Sequence, residues 1–263
     1  MNWLQTVILA LIQGLSEFLP VSSSAHLVLP AEVFGWADQG LAFDVAVHVG
    51  SLGAVLFYFR RDVQSIVVGV FKSVGGHRSQ EGDLGWMLAV ATLPVLLAGF
   101  FFEDYIEQNL RSAQVIAYAT IVGAVLLAIA DRWNKQSRDI AQMTLFLALA
   151  IGCAQMLALI PGTSRSGATI TMALLLGFQR VAAARFSFLL SIPVILAGGL
   201  WQMLGLLGTA EVPWDKIVLA TMVSGLSAYA CIHFFLKLIQ KIGMLPFVVY
   251  RMLLGIGLLV FVV

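Results

Sequence analysis

Two polar segments in an otherwise apolar chain carry the groups that could do chemistry. The first is Gln13-Gly14-Leu15-Ser16-Glu17-Phe18-Leu19-Pro20-Val21-Ser22-Ser23-Ser24-Ala25-His26, and the second is Pro161-Gly162-Thr163-Ser164-Arg165-Ser166-Gly167. In the second, Thr163 or Ser164 can cap a helix that begins at Arg165, with the free N–H groups of its first turn facing the turn before it. A helix N-terminus favours anions, phosphate above all. Arg165 adds a permanent charge and a planar fork matched to phosphate oxygens. The bland alternative is a helix break whose arginine snorkels to the headgroups. Three hydroxyls around an arginine are more than such a break needs.

The first segment offers a nucleophile and a base. Ser23 and His26 are three residues apart and would share a helix face. Serine with an adjacent base is a nucleophile arrangement, and histidine can itself be acid, base or nucleophile. Glu17, four residues after Gln13, could orient His26, act as a base, or bind a divalent cation together with phosphate oxygens. Gln13 fits a site or a bond across membrane helices equally well. His48 reads as structural, Asp44 as interfacial, Arg185 as topological and His233 as interfacial.

The elements that must position these groups are membrane helices. Of 263 residues, 60% are hydrophobic and 11% charged, against about 25% charged in soluble domains. The apolar runs are continuous rather than alternating, which excludes a membrane barrel. A net charge of +1 argues against nucleic-acid binding. Cys153 and Cys231 both lie in apolar runs and read as small buried hydrophobes, with no disulfide implied. Full spans are expected at 44–59, 86–102, 113–130, 185–204, 216–236 and 245–263. Two further regions, 3–19 with 24–34 and 143–160 with 165–177, read as broken hairpins with Pro20 and Pro161 between the arms. Proline cannot donate to the helix ladder. The stretch 62–82 reads as a short interfacial helix, since Val63, Ile66, Val67 and Val70 have helical spacing.

Basic residues set an orientation. Arg60, Arg61, Lys72 and Arg78, then Arg132, Lys135 and Arg138, then Lys237 and Lys241 mark cytoplasmic connections. Glu103, Asp104 and Glu107 with Arg111, and Glu211 with Asp215, mark outer ones. The alternation holds only if 143–177 enters and returns on the cytoplasmic side and the first hairpin enters from outside. The chain is therefore expected to be a single transmembrane domain, all-α and polytopic. It should form an inverted-topology repeat of about six spans plus two re-entrant hairpins, the repeats covering about 1–130 and 143–263. Ile12-Gln13 through Pro20 resembles Ala154-Gln155 through Pro161. Opposed broken helices near the midplane also build transporter sites, so a transporter or lipid flippase is the alternative function. A purely structural subunit leaves the buried charges unexplained.

Glu17-Phe-Leu-Pro-Val-Ser-Ser-Ser-Ala-His26 together with Pro161-Gly-Thr-Ser-Arg-Ser-Gly-Ala-Thr169 resembles the undecaprenyl-pyrophosphate phosphatase family of the bacitracin-resistance type. The likeness spans essentially the whole chain, including Arg185-Phe-Ser-Phe-Leu-Leu-Ser-Ile-Pro193. It implies an integral membrane hydrolase that removes the terminal phosphate of undecaprenyl pyrophosphate. That reaction recycles the lipid carrier for peptidoglycan synthesis. The resemblance also implies a divalent cation, Mg²⁺ or Ca²⁺, and a bacterial cytoplasmic (inner) membrane location with the site open to the periplasmic side. Its acidic motif falls on Gln13 and Glu17, its serine and histidine on Ser23 and His26, and its phosphate-binding arginine on Arg165. Gln13 stands where a second carboxylate would be, and Ser24-Ala25 where many members have Thr-Gly. Asp44 stands where some members have glutamate. The expected catalytic group is then His26, Glu17 and Ser23, with Glu17 as metal ligand. The expected pyrophosphate contacts are Arg165, Ser164, Thr163, Ser166, Ser22 and Gln13. Ser23, His26 or water could each be the nucleophile. The partners are the polyprenyl pyrophosphate lipid and the bilayer, with a homodimer allowed.

Overall fold

The computed structural model describes residues 2–27, 35–36, 39–205 and 213–262. The end of the first hairpin's second arm, at 28–34, and Glu211 in the last outer connection lie outside them. No strand occurs among the described residues. Ten α-helices follow in order: α1 Trp3–Ser16, α2 Leu41–Tyr58, α3 Arg60–Val74, α4 Gln80–Asn109, α5 Ala113–Trp133, α6 Leu145–Gln155, α7 Arg165–Leu175, α8 Arg180–Gly205, α9 Trp214–Ile242 and α10 Leu245–Phe261. Residues 23–27 form a further helical segment.

All six expected spans are continuous helices. Five are long and apolar enough to cross a bilayer. The sixth, α10, has 17 residues, about the lower limit for a span. Their outer faces carry side chains that water would not tolerate in such number: Phe101 is 71% exposed, Leu226 72% and Leu253 67%. A soluble monomer rarely shows apolar patches of that extent, so the chain is a polytopic membrane protein. The stretch 62–82 does hold a helix, the amphipathic α3, with only Ile66 and Gly69 buried. Cys231 is buried, but Cys153 is exposed on the outer face of α6. It is therefore not the buried residue its apolar run suggested, because that run also has a side facing out.

The basic connections gather at one end. Arg185 Nη2 donates to Asp62 Oδ1 at 2.5 Å. Arg180 Nε donates to Asp131 Oδ1 at 2.6 Å, and the Met244 N–H to Asp131 Oδ2 at 3.1 Å. The second hairpin stands with both feet at this end. It is tied there by Ser137 N–H to the Gly177 carbonyl at 3.0 Å and by Arg138 Nη1 to the Leu176 carbonyl at 2.6 Å. The first hairpin starts at the opposite end, where Lys216 Nζ sits 6.0 Å from the Trp3 ring centroid.

Each hairpin's first arm lies along a long helix of the other half of the chain. Helix α1 runs along α9, and α6 runs along α4. Small residues allow the approach, as in membrane helix pairs generally. A Cβ on Gly14 would collide with Ser227 Oγ and the Ser224 carbonyl, and one on Gly152 with the Ala91 backbone. From the turn of the first hairpin a chain of aromatic rings runs through α8 and α9 to α10. Phe18 meets Phe188 at 5.2 Å, Phe188 meets Phe235 at 5.7 Å, and Phe235 meets Phe247 at 5.1 Å between centroids.

Candidate active site

Each hairpin breaks at mid-depth in the same way. Helix α1 ends at Ser16, and the chain turns through 17–21 before Ser22, whose φ of 72° lies in the left-handed region. The Ser22 hydroxyl accepts from the Ala25 N–H at 3.4 Å and opens the helical segment 23–27. Helix α6 tightens into a 3₁₀ turn at Met156–Leu159, then passes through Pro161 and Gly162 to Ser164, with φ 71°. Ser164 Oγ accepts from the Gly167 N–H at 3.0 Å and caps α7. Of the two capping residues the sequence offers, Ser164 is the one used. The N–H groups of Arg165 and Ser166 are then left without an acceptor inside the helix.

The two turns are sewn together. Ser24 Oγ accepts from the Gly162 N–H at 3.3 Å, and Ser166 Oγ donates to the Leu19 carbonyl at 2.7 Å. Arg251, fully buried on α10, completes the seam. Its guanidinium donates to the Pro20 carbonyl at 3.3 Å and to the Thr120 carbonyl at 3.2 Å. It also reaches the Gly162 carbonyl at 3.2 Å and the Thr163 carbonyl at 2.9 Å.

This seam brings Glu17, Ser23 and Arg165 to one point. Glu17 is 8% exposed. Its Oε1 accepts from Arg165 Nη2 at 3.1 Å, and its Oε2 accepts from Ser23 Oγ at 3.2 Å and from Gln13 Nε2 at 2.8 Å. A carboxylate among apolar helices is costly unless paired and hydrogen-bonded, and every partner here is one the sequence singled out. Arg165 also donates to the Ser187 carbonyl at 3.2 Å and lies 5.9 Å from the Phe18 ring centroid. The fork is held rigidly from three sides.

The histidine at this cluster is His48, which the sequence reading set aside as structural. Its Nδ1 lies 2.7 Å from the Asp44 carbonyl, an acceptor only, so Nδ1 is the donor and Nε2 is left to accept from Gln13 Nε2 at 3.2 Å. His48 Nε2 is 3.9 Å from Glu17 Oε2. The signal that could have found it was Asp44 and His48 four apart on one apolar span.

His26 points elsewhere. Its Nδ1 pairs with the Ser22 carbonyl at 2.6 Å and its Nε2 with Tyr250 Oη at 2.6 Å, and the two rings stack 5.5 Å apart. Ser23 and His26 therefore do not bond to each other, and neither does Glu17 to His26. Two expected phosphate contacts are not among the residues lining the cleft. The buried Ser166 hydroxyl finds its partner in the backbone and ties the turns. Thr163, whose carbonyl accepts from Arg251, lines a separate small cavity with Leu126 and Leu175. Ser22 and Ser164 do line the cleft, with their hydroxyls engaged at the caps.

Glu17, Ser23, His48 and Arg165 line a cleft of ≈ 270 Å³. It shares Val95, Leu159, Val194, Gly198 and Gln202 with an apolar groove of ≈ 490 Å³ between α4 and α8. That groove reaches Glu103, Arg111 and Trp201, at the end opposite the basic connections. Among the described residues no three His, Cys, Asp or Glu side chains converge on one point. Glu17 therefore offers the cleft a single carboxylate; the fully buried Gln13 is not among the residues lining it. That donor set fits a hard divalent cation only if phosphate oxygens supply further ligands, which is how Mg²⁺ is commonly held.

Comparison with known proteins gives a consistent picture. The profile of the family described as bacitracin resistance protein BacA matches residues 6–257. A protein of Saccharophagus degradans (strain 2-40 / ATCC 43961 / DSM 17024) named undecaprenyl-diphosphatase is 58% identical, over 98% of this chain and 97% of its own. Another of that name, from Hahella chejuensis (strain KCTC 2396), is 60% identical over 99% of this chain and 98% of its own. A third, from Teredinibacter turnerae (strain ATCC 39867 / T7901), is 56% identical over 99% of each.

Proposed function

The chain belongs to the bacitracin resistance protein BacA family, and from that premise we propose the reaction its site performs. It is an undecaprenyl-diphosphatase, an integral membrane hydrolase that converts undecaprenyl pyrophosphate to undecaprenyl phosphate and inorganic phosphate. The observation that supports the chemistry is the convergence of Ser23, Glu17 and Arg165 from two opposed hairpins on one cleft.

Arg165 and the free N–H groups of the α7 N-terminus receive the terminal phosphate. The charge that develops on its oxygens meets donors already in place, the main source of rate in phosphoryl transfer. Ser23 Oγ attacks the terminal phosphorus, and its proton passes to Glu17 Oε2, 3.2 Å away. The bridging P–O bond breaks, and undecaprenyl phosphate leaves with the electron pair. Water then cleaves the phosphoserine and releases phosphate. A divalent cation held by Glu17 would neutralise part of the diphosphate charge. The polyprenyl chain leaves the cleft along the apolar groove between α4 and α8. Because that groove runs to the end away from the basic connections, the site opens to the periplasmic side of the bacterial inner membrane. The two halves, about 1–130 and 143–263, are inverted repeats.

Phosphate release from undecaprenyl pyrophosphate by the purified protein in detergent, with and without Mg²⁺ or Ca²⁺, tests the reading. Release that disappears in Arg165→Ala is expected; no release from folded wild type overturns it. Rapid acid quench with labelled substrate is expected to trap acid-stable label on Ser23. Acid-labile label would move the attack to His26, a step for which its bond to Tyr250 must open.

A further inference from the structure

Gln155 is the last residue of α6, and it is fully buried. Among the described residues, neither its Nε2 nor its Oε1 has a hydrogen-bond partner. It lines the same cleft as Glu17, Ser23 and Arg165. A buried amide left unpaired is costly, and native interiors carry few such groups. A whole unpaired carboxamide facing a polar cleft is a place where a ligand completes the bonding.

Its position says which ligand. Gln13 and Gln155 occupy matching places at the ends of the two hairpin arms. Gln13 spends both Nε2 hydrogens, on Glu17 and on His48. Gln155 spends none, and no carboxylate stands four residues after it, where Leu159 replaces the Glu17 of the first hairpin. On the Glu17 side of the cleft the donors are committed to the protein's own anion. On the Arg165 side a donor is uncommitted, ahead of a helix N-terminus and an arginine. Both of those favour an anion.

We propose that Gln155 is a diphosphate-binding residue: its Nε2 donates to a non-bridging phosphate oxygen of the bound lipid diphosphate while its Oε1 accepts from water or a protonated phosphate oxygen. This rests on the reading of the protein as a lipid diphosphatase. An amide suits the task because it adds a donor on the wall opposite Glu17 without adding charge at membrane depth, where a second cation would be costly.

The test compares wild type with Gln155→Leu, which keeps the bulk and removes both polar atoms, and with Gln155→Glu. Three quantities are read: KM and kcat for phosphate release, the thermal midpoint in detergent, and the rise in that midpoint with inorganic pyrophosphate. Gln155→Leu is expected to raise KM roughly tenfold to a hundredfold, the worth of a hydrogen bond to a charged group. Its midpoint should be equal to or above that of wild type, since two unpaired buried atoms are gone. The pyrophosphate-induced rise should be lost. Gln155→Glu should bind worse still, its carboxylate repelling phosphate. A residue that serves only the fold gives the reverse pattern, a lower midpoint with KM unchanged, and that result overturns the inference. If wild type itself releases no phosphate, the diphosphatase reading fails. The pyrophosphate response still decides Gln155: an equal rise in wild type and variant, or none in wild type, overturns the proposal.

Discussion

At Ser22 and at Ser164 the backbone makes the same turn, with φ of 72° and 71°. Each serine hydroxyl accepts from the N–H three residues on, and each pairs with the hydroxyl two residues on: Ser24 at 3.1 Å in the first turn, Ser166 at 3.2 Å in the second. Each turn follows a proline and a short helix that ends near a buried glutamine. The residues placed on this shared frame differ. The position after the left-handed serine is Ser23 in one turn and Arg165 in the other, and only the first carries a carboxylate, Glu17. One scaffold carries a carboxylate and a serine at that position; its counterpart carries an arginine. The difference teaches that the two turns complete each other. The cation neutralises the anion, and the seam through Ser24, Ser166 and Arg251 sets the distance between them.

The comparison breaks most sharply at its charged positions. Arg165→Ala should lower the rate of phosphate release on the order of 10²–10³-fold or more, as loss of a preorganised donor to a developing charge does. Arg165→Lys should not restore it, because a point charge cannot hold both Glu17 and the Ser187 carbonyl. A rate within tenfold of wild type would mean that the two turns do not divide the chemistry.

Next comes the seam. Arg251→Met removes the donor from four carbonyls in both turns and α5. Buried acceptors left unpaired cost about 1–3 kcal/mol each. Denaturation in detergent should show a loss of at least about 3 kcal/mol, with the rate falling although Ser23, Glu17 and Arg165 are intact. Full activity would show that the turns hold their spacing without α10.

The caps sharpen the likeness. Ser22→Ala and Ser164→Ala should each cost about 1 kcal/mol. Ser22→Gly and Ser164→Gly should cost only a few tenths, because glycine accepts the left-handed φ freely. Unequal effects at the two serines would show that the turns are alike in shape but not in energy.

The smallest effect is expected at Tyr250→Phe, which deletes the partner of His26 and should change the rate less than about threefold, the loss of one half-exposed hydrogen bond. A change above tenfold would bring His26 into the reaction.

Much of this was legible in the sequence. Pro20 and Pro161 between short apolar runs foretold the hairpins, since a break at that depth has to be buried in protein or line a cavity. Glu17, Ser23 and Arg165 stood out because such groups are rare and costly there. His48 was missed because its partner Gln13 is 35 residues away, and a lone histidine on a span has no local signature. His26 stands away from Ser23 and Glu17, because spacing along a helix fixes a face but not what stands opposite it. Tyr250, which takes its ring, is 224 residues further on. The hydroxyl of Ser166 looked free to bind an anion; where it would be spent depended on a backbone carbonyl brought in by the other turn.

The sequence by itself determined that this is a helical membrane protein with two polar breaks, and which residue types could handle a phosphate. Composition, run length and the cost of burying charge are properties of the chain alone. Only the tertiary structure decided which groups meet: Glu17 with Arg165 across 148 residues, Arg251 with both turns, and the Gln155 carboxamide with no partner among the described residues. Hydrogen bonds act over about 3 Å, so the partners of a buried polar group are set by how distant helices pack, which no local pattern records.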